Sequence, residues 1–596
     1  MVKMPKAVFR IGVVGHRPDK LSTKTMEALP SILAKLFSTL DTEVRAIFEK
    51  AGPMYDQNTP TAIRLVSGLA AGADLIAAEI AQSLAWQTQF LLPESLQHFK
   101  ARLSSDEQLT FKKIVSQSSS LTEVTVYGEE AITSAPHAAL GQLLLQNIDL
   151  LVTVWDGAPG RGKGGTADLI AEALEMQIPV LWLDAADPAR IRYLDSAMTP
   201  SEIDKEHSWQ QKTQSYLDTV LLPPTANDEP QAFARLQEYA GEKERRWNLG
   251  LAFPIFQFLF AGRRLRFSDL HQAPAAETQQ KAWQKELQGD ATGALAQTGA
   301  TVFAQYAQAD RQANYYAQLY RSASVMNYTL TAISVLMALM GLLVSDWKLW
   351  WVLLELGLIS LVLINTSVGN RARWHQKWLD YRQLAESLRV MLKLSPLAIN
   401  GQLFSFQLVQ VHHGQGGRWI EWYLSAVNRC ATLPGIEINT AIVDKFRYEL
   451  ADYAGEQSNY HASAAQNAYQ TDHRLHIVGN ICLYGTVLSC LIFLVCYVAN
   501  PNLATQLKYW VTFFCAVLPA FGAAAFGLRH HGDYEGVAQR SASTASHLIE
   551  FKYSMNRSAL GFIEMVNVAH QLKGHYNLEL RDWRVTFERR PLAVPA

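Results

Sequence analysis

In the first third of the chain, short apolar runs alternate with amphipathic stretches. The runs cover residues 8–14, 63–67, 90–93, 124–126, 150–155 and 179–183, with helical patterns starting at Ser22 and near Asp74. Runs of this length parted by helical periodicity predict parallel strands with crossover helices, hence an α/β, Rossmann-like sheet wound on both faces. Such sheets hold ligands outside the carboxyl ends of their strands. After about residue 320 the pattern changes. Four apolar stretches, at residues 325–344, 350–368, 477–499 and 509–528, have the length needed to cross a bilayer. Tyr328, Trp347, Trp350, Trp351, Tyr497, Tyr509 and Trp510 lie near their ends, as in an aromatic belt. The expectation is an all-α transmembrane C-terminal region with four spans.

Basic residues orient these spans. Arg311 and Arg321 precede the first, Arg371, Arg373, Lys377 and Arg382 follow the second, Arg474 precedes the third, and Arg529, Arg540 and Lys552 follow the fourth. Only Lys348 and Lys508 lie between the members of each pair. The positive-inside rule then predicts a multi-pass protein of the cytoplasmic membrane with both termini inside and two hairpin tips outside. The pairs read as a repeat, because Tyr316, Arg321, Val325 and Asn327 return at one fixed interval as Tyr469, Arg474, Val478 and Asn480. Gly369, Arg371 and Arg382 return at a slightly longer interval as Gly527, Arg529 and Arg540. The expected units are a head at residues 1–190, a linker or insert at 191–295, and two-span helical repeats with long cytoplasmic extensions at 296–450 and 451–596.

Trp374, Trp378, Tyr381, Ala385 and Leu388 recur at alternating four- and three-residue steps, one face of a helix leaving the second span. Arg371, Arg373, Arg382 and Arg389 are then free to meet water, lipid headgroups or a partner helix. Within the spans, Glu355, Asn365 and Asn480 are polar groups at membrane depth, which either line a path or sit near an interface. Pro519 with Gly522 and Gly527 permits a kink and close helix packing. A short apolar segment, residues 249–260, lies between Arg245–Arg246 and Arg263–Arg264. It is too short to span, and reads as an interfacial element or one that packs the head on the membrane body.

Composition narrows the chemistry. The 596 residues carry a formal net charge of -1, so no global basic field points to nucleic acid. Cys482, Cys490, Cys496 and Cys515 lie in apolar stretches and Cys430 stands alone, which leaves no metal-binding Cys spacing. The adjacent His412 and His413 read as a loop. The basic start leads into the apolar run of the first strand, too short for an export signal.

The candidate site lies in the turns after the strands: Gly15-His16-Arg17-Pro18, Ser67-Gly68-Leu69-Ala70-Ala71-Gly72-Ala73-Asp74, and Trp155-Asp156-Gly157 followed by Gly160-Arg161-Gly162-Lys163-Gly164-Gly165-Thr166. Glycine lets backbone N–H groups approach a phosphate, and a helix starting at Gly165-Thr166 aims its positive end at an anion. Arg17, Arg161 and Lys163 supply countercharge, and His16 a neutral hydrogen bond. Asp74 either accepts from a ribose hydroxyl or caps its helix.

At these residues the head resembles the SLOG superfamily of nucleotide-sensing or nucleotide-processing domains related to the LOG and DprA proteins. The Gly-His-Arg-Pro, Ser-Gly-Leu-Ala-Ala-Gly-Ala-Asp and Gly-Gly-Thr turns carry the match over residues 7 to 185. The membrane half resembles the SLATT group of SLOG-associated transmembrane domains. The match rests on Tyr315-Tyr316, Tyr320-Arg321, Trp378-Leu379-Asp380-Tyr381-Arg382 and Leu384-Ala385-Glu386, with a diverged copy at Gly532-Asp533-Tyr534 and Gln539-Arg540-Ser541. The resemblance implies a bacterial defence effector whose head binds an ADP-ribose derivative or cyclic nucleotide and whose spans permeabilise the membrane. LOG-type hydrolases carry a glutamate three residues after the turn threonine; here that position is Leu169, and Glu172 replaces it only if the loop differs. A membrane-anchored nucleotide hydrolase and a non-conducting scaffold stay open as alternatives. Four spans with few polar residues enclose no water-filled path alone, so a homo-oligomer is expected.

Overall fold

The computed structural model describes residues 2–127, 135–159, 164–196, 208–243, 245, 247–248, 250–265, 293–399, 417–557 and 561–595. Of the residues singled out above, Gly160, Arg161, Gly162, Lys163, Arg246, Leu249, His412 and His413 lie outside this set. The N-terminal part is an α/β unit. Its strands are β1 (Val8–Gly15), β2 (Ala62–Ser67), β3 (Gln87–Leu92), β4 (Ser120–Val124), β5 (Leu150–Trp155), β6 (Val180–Asp184), β7 (Ile191–Leu194) and β8 (Glu437–Ile438). They form one sheet in the order β7-β6-β5-β1-β2-β3-β4-β8, with only β7 antiparallel to its neighbour. Seven residues of β1 are buried, because parallel strands covered on both faces read as continuous apolar runs.

The chain winds outward from β1 in both directions. The helices α1 (Thr23–Ala51), α2 (Ala73–Ser83), α3 (Leu96–Ala101) and α4 (Ser105–Ser116) belong to the side running through β2, β3 and β4. On the other side come α5 (Ala135–Gln146) and α6 (Thr166–Glu175), with α7 (Trp209–Leu221) and α8 (Pro230–Ala240) after the sheet. The fourth strand begins four residues earlier than its apolar pattern suggests. Ser120, Thr122 and Glu123 make it polar, and it is only partly buried.

Beyond the sheet the molecule is helical: α9 (Ala252–Phe260), α10 (Gly293–Leu343), α11 (Lys348–Arg371), α12 (Trp374–Leu394), α13 (Arg418–Cys430), α14 (Thr440–Ala499), α15 (Pro501–Gly532), α16 (Tyr534–Arg557) and α17 (Phe562–Glu588). Four of these stretches, within α10, α11, α14 and the helix beginning at Pro501, are long and apolar enough to cross a membrane. Their large side chains face outward: Trp350 is 60% exposed and Tyr484 69%, a cost in water that lipid removes. The chain is a multi-pass membrane protein.

Sheet and helices share their cores. One face of the sheet joins α1 and α2 to Tyr316 of α10, Trp378 of α12 and Trp419 of α13. The other joins α5 and α6 to Phe446 of α14 and Met565 of α17. Polar residues inside the central strands serve the same junction. Arg10 binds Asp149 in a fork, Nη2 to Oδ1 at 2.9 Å and Nε to Oδ2 at 3.2 Å. Arg64 donates to the carbonyls of Arg429 (3.3 Å) and Ala431 (2.5 Å) at the end of α13. The sheet continues past residue 190 in β7, then takes its outer strand from β8, which follows the first two spans. Glu123 and Val124 pair with Glu437 and Ile438, and Asn439 caps α14 by accepting from the amide of Ile442 at 3.1 Å. The sheet edge therefore runs directly into a 60-residue helix that carries the third span.

Candidate functional site

The chain reverses its direction of winding between β1 and β5, which lie side by side with Gly15 opposite Val154. Sheets of this kind place a ligand at such a switch point, outside the carboxyl ends of the strands. Gly15, His16 and Arg17 leave β1 on one side of it, and Trp155, Asp156 and Gly157 leave β5 on the other. The His16 amide donates to the Val154 carbonyl at 3.1 Å. Its buried ring sets Nε2 at 3.0 Å from Asp156 Oδ1, which ties the two turns together. Hydrogen bonds from the Ala158 amide and from His16 hold the Asp156 carboxyl below the usual range, against some desolvation. Arg17 is exposed.

The second turn is shaped by close backbone approach. Gly72 has φ +97, and a Cβ there would lie 2.8 Å from the His16 carbonyl oxygen. Asp74 sits inside this turn, 4% exposed. Ser67 Oγ donates to its Oδ2 at 3.1 Å, while the amides of Gly15, Gly68 and Ala70 face the carboxyl. Burial pushes its pKa up to about 7 in spite of these bonds. The geometry gives Asp74 a bracing role between the first two turns.

Beyond β5, Gly164 has φ +84 and packs against the start of α5, 2.8 Å separating a built Cβ from the Ala138 amide nitrogen. Gly165 caps α6 in an ordinary extended conformation, φ -80 and ψ 169, and no side chain among the described residues bonds the first-turn amides that start at Thr166. Those amides are available to an anion. The half-buried Trp155 forms a side wall, its ring 5.1 Å from Trp182, which in turn lies under the Arg192 guanidinium at 4.2 Å. Leu169 points into the core between α5 and α6, where a Cβ on Gly141 would touch it. Glu172 is one turn further on, its pKa raised by partial burial and by Asp168 and Glu175.

Three titratable groups outside the glycine turns complete this edge. Glu94 follows β3 and is buried against Arg102 at 3.1 Å. His137, in the first turn of α5, has its pKa lowered by burial and by Arg17 and Arg102, with Glu94 opposing. The position of Glu94 just past a strand end is the one local signal that marked it. His137 and Arg102 have none, since they reach the edge through crossover segments.

The polar residues of the spans separate. Asn365 on α11 donates to the Ala323 carbonyl (3.1 Å) and to Asn327 Oδ1 (2.7 Å) on α10, so it joins two helices. Asn327 in turn donates to Thr366 Oγ1 and to the carbonyl of Ala593. Asn480 bonds only His476 on its own helix, and Glu355 has no hydrogen-bond or ion-pair partner among the described residues. The short apolar segment is helical from Ala252 and packs on the long membrane helices, not on the sheet. Phe256 is buried against α10 and α14, whereas Ile255, Phe258 and Leu259 face outward.

The Trp-Leu-Asp-Tyr-Arg stretch of α12 is a structural junction. Trp378 stacks on Tyr320 with ring centres 5.0 Å apart, and buried Asp380 receives Arg584 of α17 (2.8 Å) and Arg235 of α8 (3.4 Å). Among the described residues, no three His, Cys, Asp or Glu side chains converge as a metal site requires. A family model described as a protein of unknown function (DUF4231) matches residues 304–392, which take in most of α10, all of α11 and nearly all of α12. No curated protein matches the chain.

Proposed function

We propose that this protein is a ligand-gated membrane effector. Its α/β head binds a nucleotide-derived anion at the β1–β5 switch point, and occupancy changes how the four spans pack. The observation that carries this reading is the continuity of the sheet with the membrane helices through β8 and α14. A shift at the carboxyl edge has a rigid path to the third span, with no linker to absorb it. The binding residues are Gly15, His16, Arg17, Ser67, Gly68, Gly72, Trp155, Gly164, Gly165 and Thr166, with Asp74 bracing them and Arg161 and Lys163 supplying charge. The resemblance to SLOG and SLATT domains supports an ADP-ribose derivative or cyclic nucleotide as the signal and membrane permeabilisation in bacterial defence as the outcome.

On this reading both termini face the cytoplasm, and the spans form two related hairpins. Each hairpin is followed by a left-handed residue that starts the next helix, Arg373 (φ 55) after Gly369 and Asp533 (φ 50) after Gly527. Several copies assemble around the path. A ligand shifts this equilibrium only if it binds the open arrangement more tightly than the closed one. Leu169 in the core leaves a hydrolase without the glutamate its chemistry uses, so the head acts as a sensor.

The test is dye release from liposomes containing the purified protein, titrated with ADP-ribose derivatives and cyclic nucleotides. Gly165→Asp is the control, because its backbone suits any residue and aspartate is a good cap, yet its charge repels an anion. Release with one ligand, lost in Gly165→Asp, is expected. Binding without release identifies a scaffold, and conversion of the nucleotide identifies an anchored hydrolase.

A further inference from the structure

A separate cavity of about 550 Å³ lies where α10, α14 and α15 meet the helical body. Its wall is completed by α9, α12, α16 and α17, and its size is that of a small-molecule site. Four arginines line it against two glutamates, so its charge is positive. Two of the arginines are already satisfied. Arg382 binds Glu386 at 2.5 Å and Asp310 at 3.6 Å, and Arg389 shares the same Glu386.

Arg321 differs. Its guanidinium lies 5.2 Å from the ring centres of Phe253 and of Trp378, with no hydrogen bond or ion pair to any described residue. A planar cation with five N–H donors and no acceptor is costly in a partly buried place unless an anion joins it. The Nε of Arg389 and the Nδ1 of His461, both on the cavity wall, are also buried without a partner. Glu579, 3.7 Å from His461 Nε2, is pushed up to about 7 by burial and by Glu386, which weakens the negative charge of the cavity further.

We infer that this cavity binds the phosphate group of an organic anion, with Arg321 as its main ligand and the aromatic walls holding the rest of the molecule. Two sources carry that chemistry: a phospholipid headgroup entering beside α9, and a soluble phosphorylated metabolite. The outward face of α9, with Phe258 49% and Leu259 59% exposed, puts an apolar surface next to the cavity where lipid would lie. The inference does not depend on the site at the sheet edge.

Thermal unfolding of the full chain in maltoside detergent separates the sources. One arm compares short-chain phosphatidylglycerol with the matching diacylglycerol, and the other compares adenosine monophosphate with adenosine. The phosphorylated member of at least one pair is expected to raise Tm and its phosphate-free partner not to. A rise in the first arm alone assigns a lipid, and in the second alone a soluble ligand. In Arg321→Gln the half-saturating concentration should increase about tenfold or more, with Arg321→Lys intermediate. Without ligand, Arg321→Gln should unfold no earlier than the wild type, since it removes an unpaired charge. A rise in neither arm, an equal response in Arg321→Gln, or a response lost only in Gly165→Asp would overturn the inference.

Discussion

The two anion sites proposed above, at the sheet edge and in the helical cavity, are built in opposite ways. The edge relies on backbone: glycine turns, the free amides of α6 and a carboxyl held inside the second turn. The cavity relies on side chains, guanidinium groups and rings brought from helices far apart in the chain. The fold of a backbone site is set by local conformation, so it fails when a turn is strained even if no charge changes. A side-chain site depends on groups brought from distant segments, so it tolerates changes of backbone propensity and fails when one of those groups goes.

Four substitutions test that contrast. The largest loss is expected for Asp380→Ala in the helical body, which strands Arg584 and Arg235; about 3–5 kcal/mol of stability should disappear in a denaturant titration, and a near-neutral result would break the contrast. Next comes Gly72→Ala in the head. It changes no charge, but positive φ and the His16 carbonyl should together cost more than about 1 kcal/mol, read by the same titration.

Asp74→Asn sharpens the picture through pH. The folded state holds the Asp74 carboxyl near 7, above its unfolded value, so the unfolded chain releases this proton first as pH rises. The advantage of wild type over Asp74→Asn is present at acid pH and should shrink between about pH 4 and 7, seen as converging or crossing Tm values. The smallest effect belongs to Asn439→Ala, a lost helix cap worth about 1 kcal/mol. Its value is positional: hydrogen exchange should rise at the start of α14 and leave the β1–β5 turns unchanged.

The two sites also differ in how far they can be read from the chain. Gly15, Gly68, Gly72 and Gly165 each stand within a few residues of a strand or helix end, so the turn chemistry is written locally. The spans are legible for a similar reason, since each is one unbroken apolar run. The face of α12 carrying Trp378, Tyr381, Ala385 and Leu388 is buried as its spacing predicts. What spacing does not convey is that Arg382, Glu386 and Arg389, paired along one helix, are largely covered, because that depends on α10, α14 and α17 arriving beside them. The strand β7 has four residues and β8 two, too few for any periodicity. Their identity as strands comes from the edge each one covers.

The position of β8 also bears on how the protein is made. Ribosomes deliver the chain in order, and Glu437 and Ile438 emerge only after the first two spans. Until then β4 presents unpaired N–H and C=O groups, the kind of open edge that recruits other strands. The sheet is therefore completed only after the first two spans have left the ribosome, and a chain cut short before residue 437 keeps that edge open.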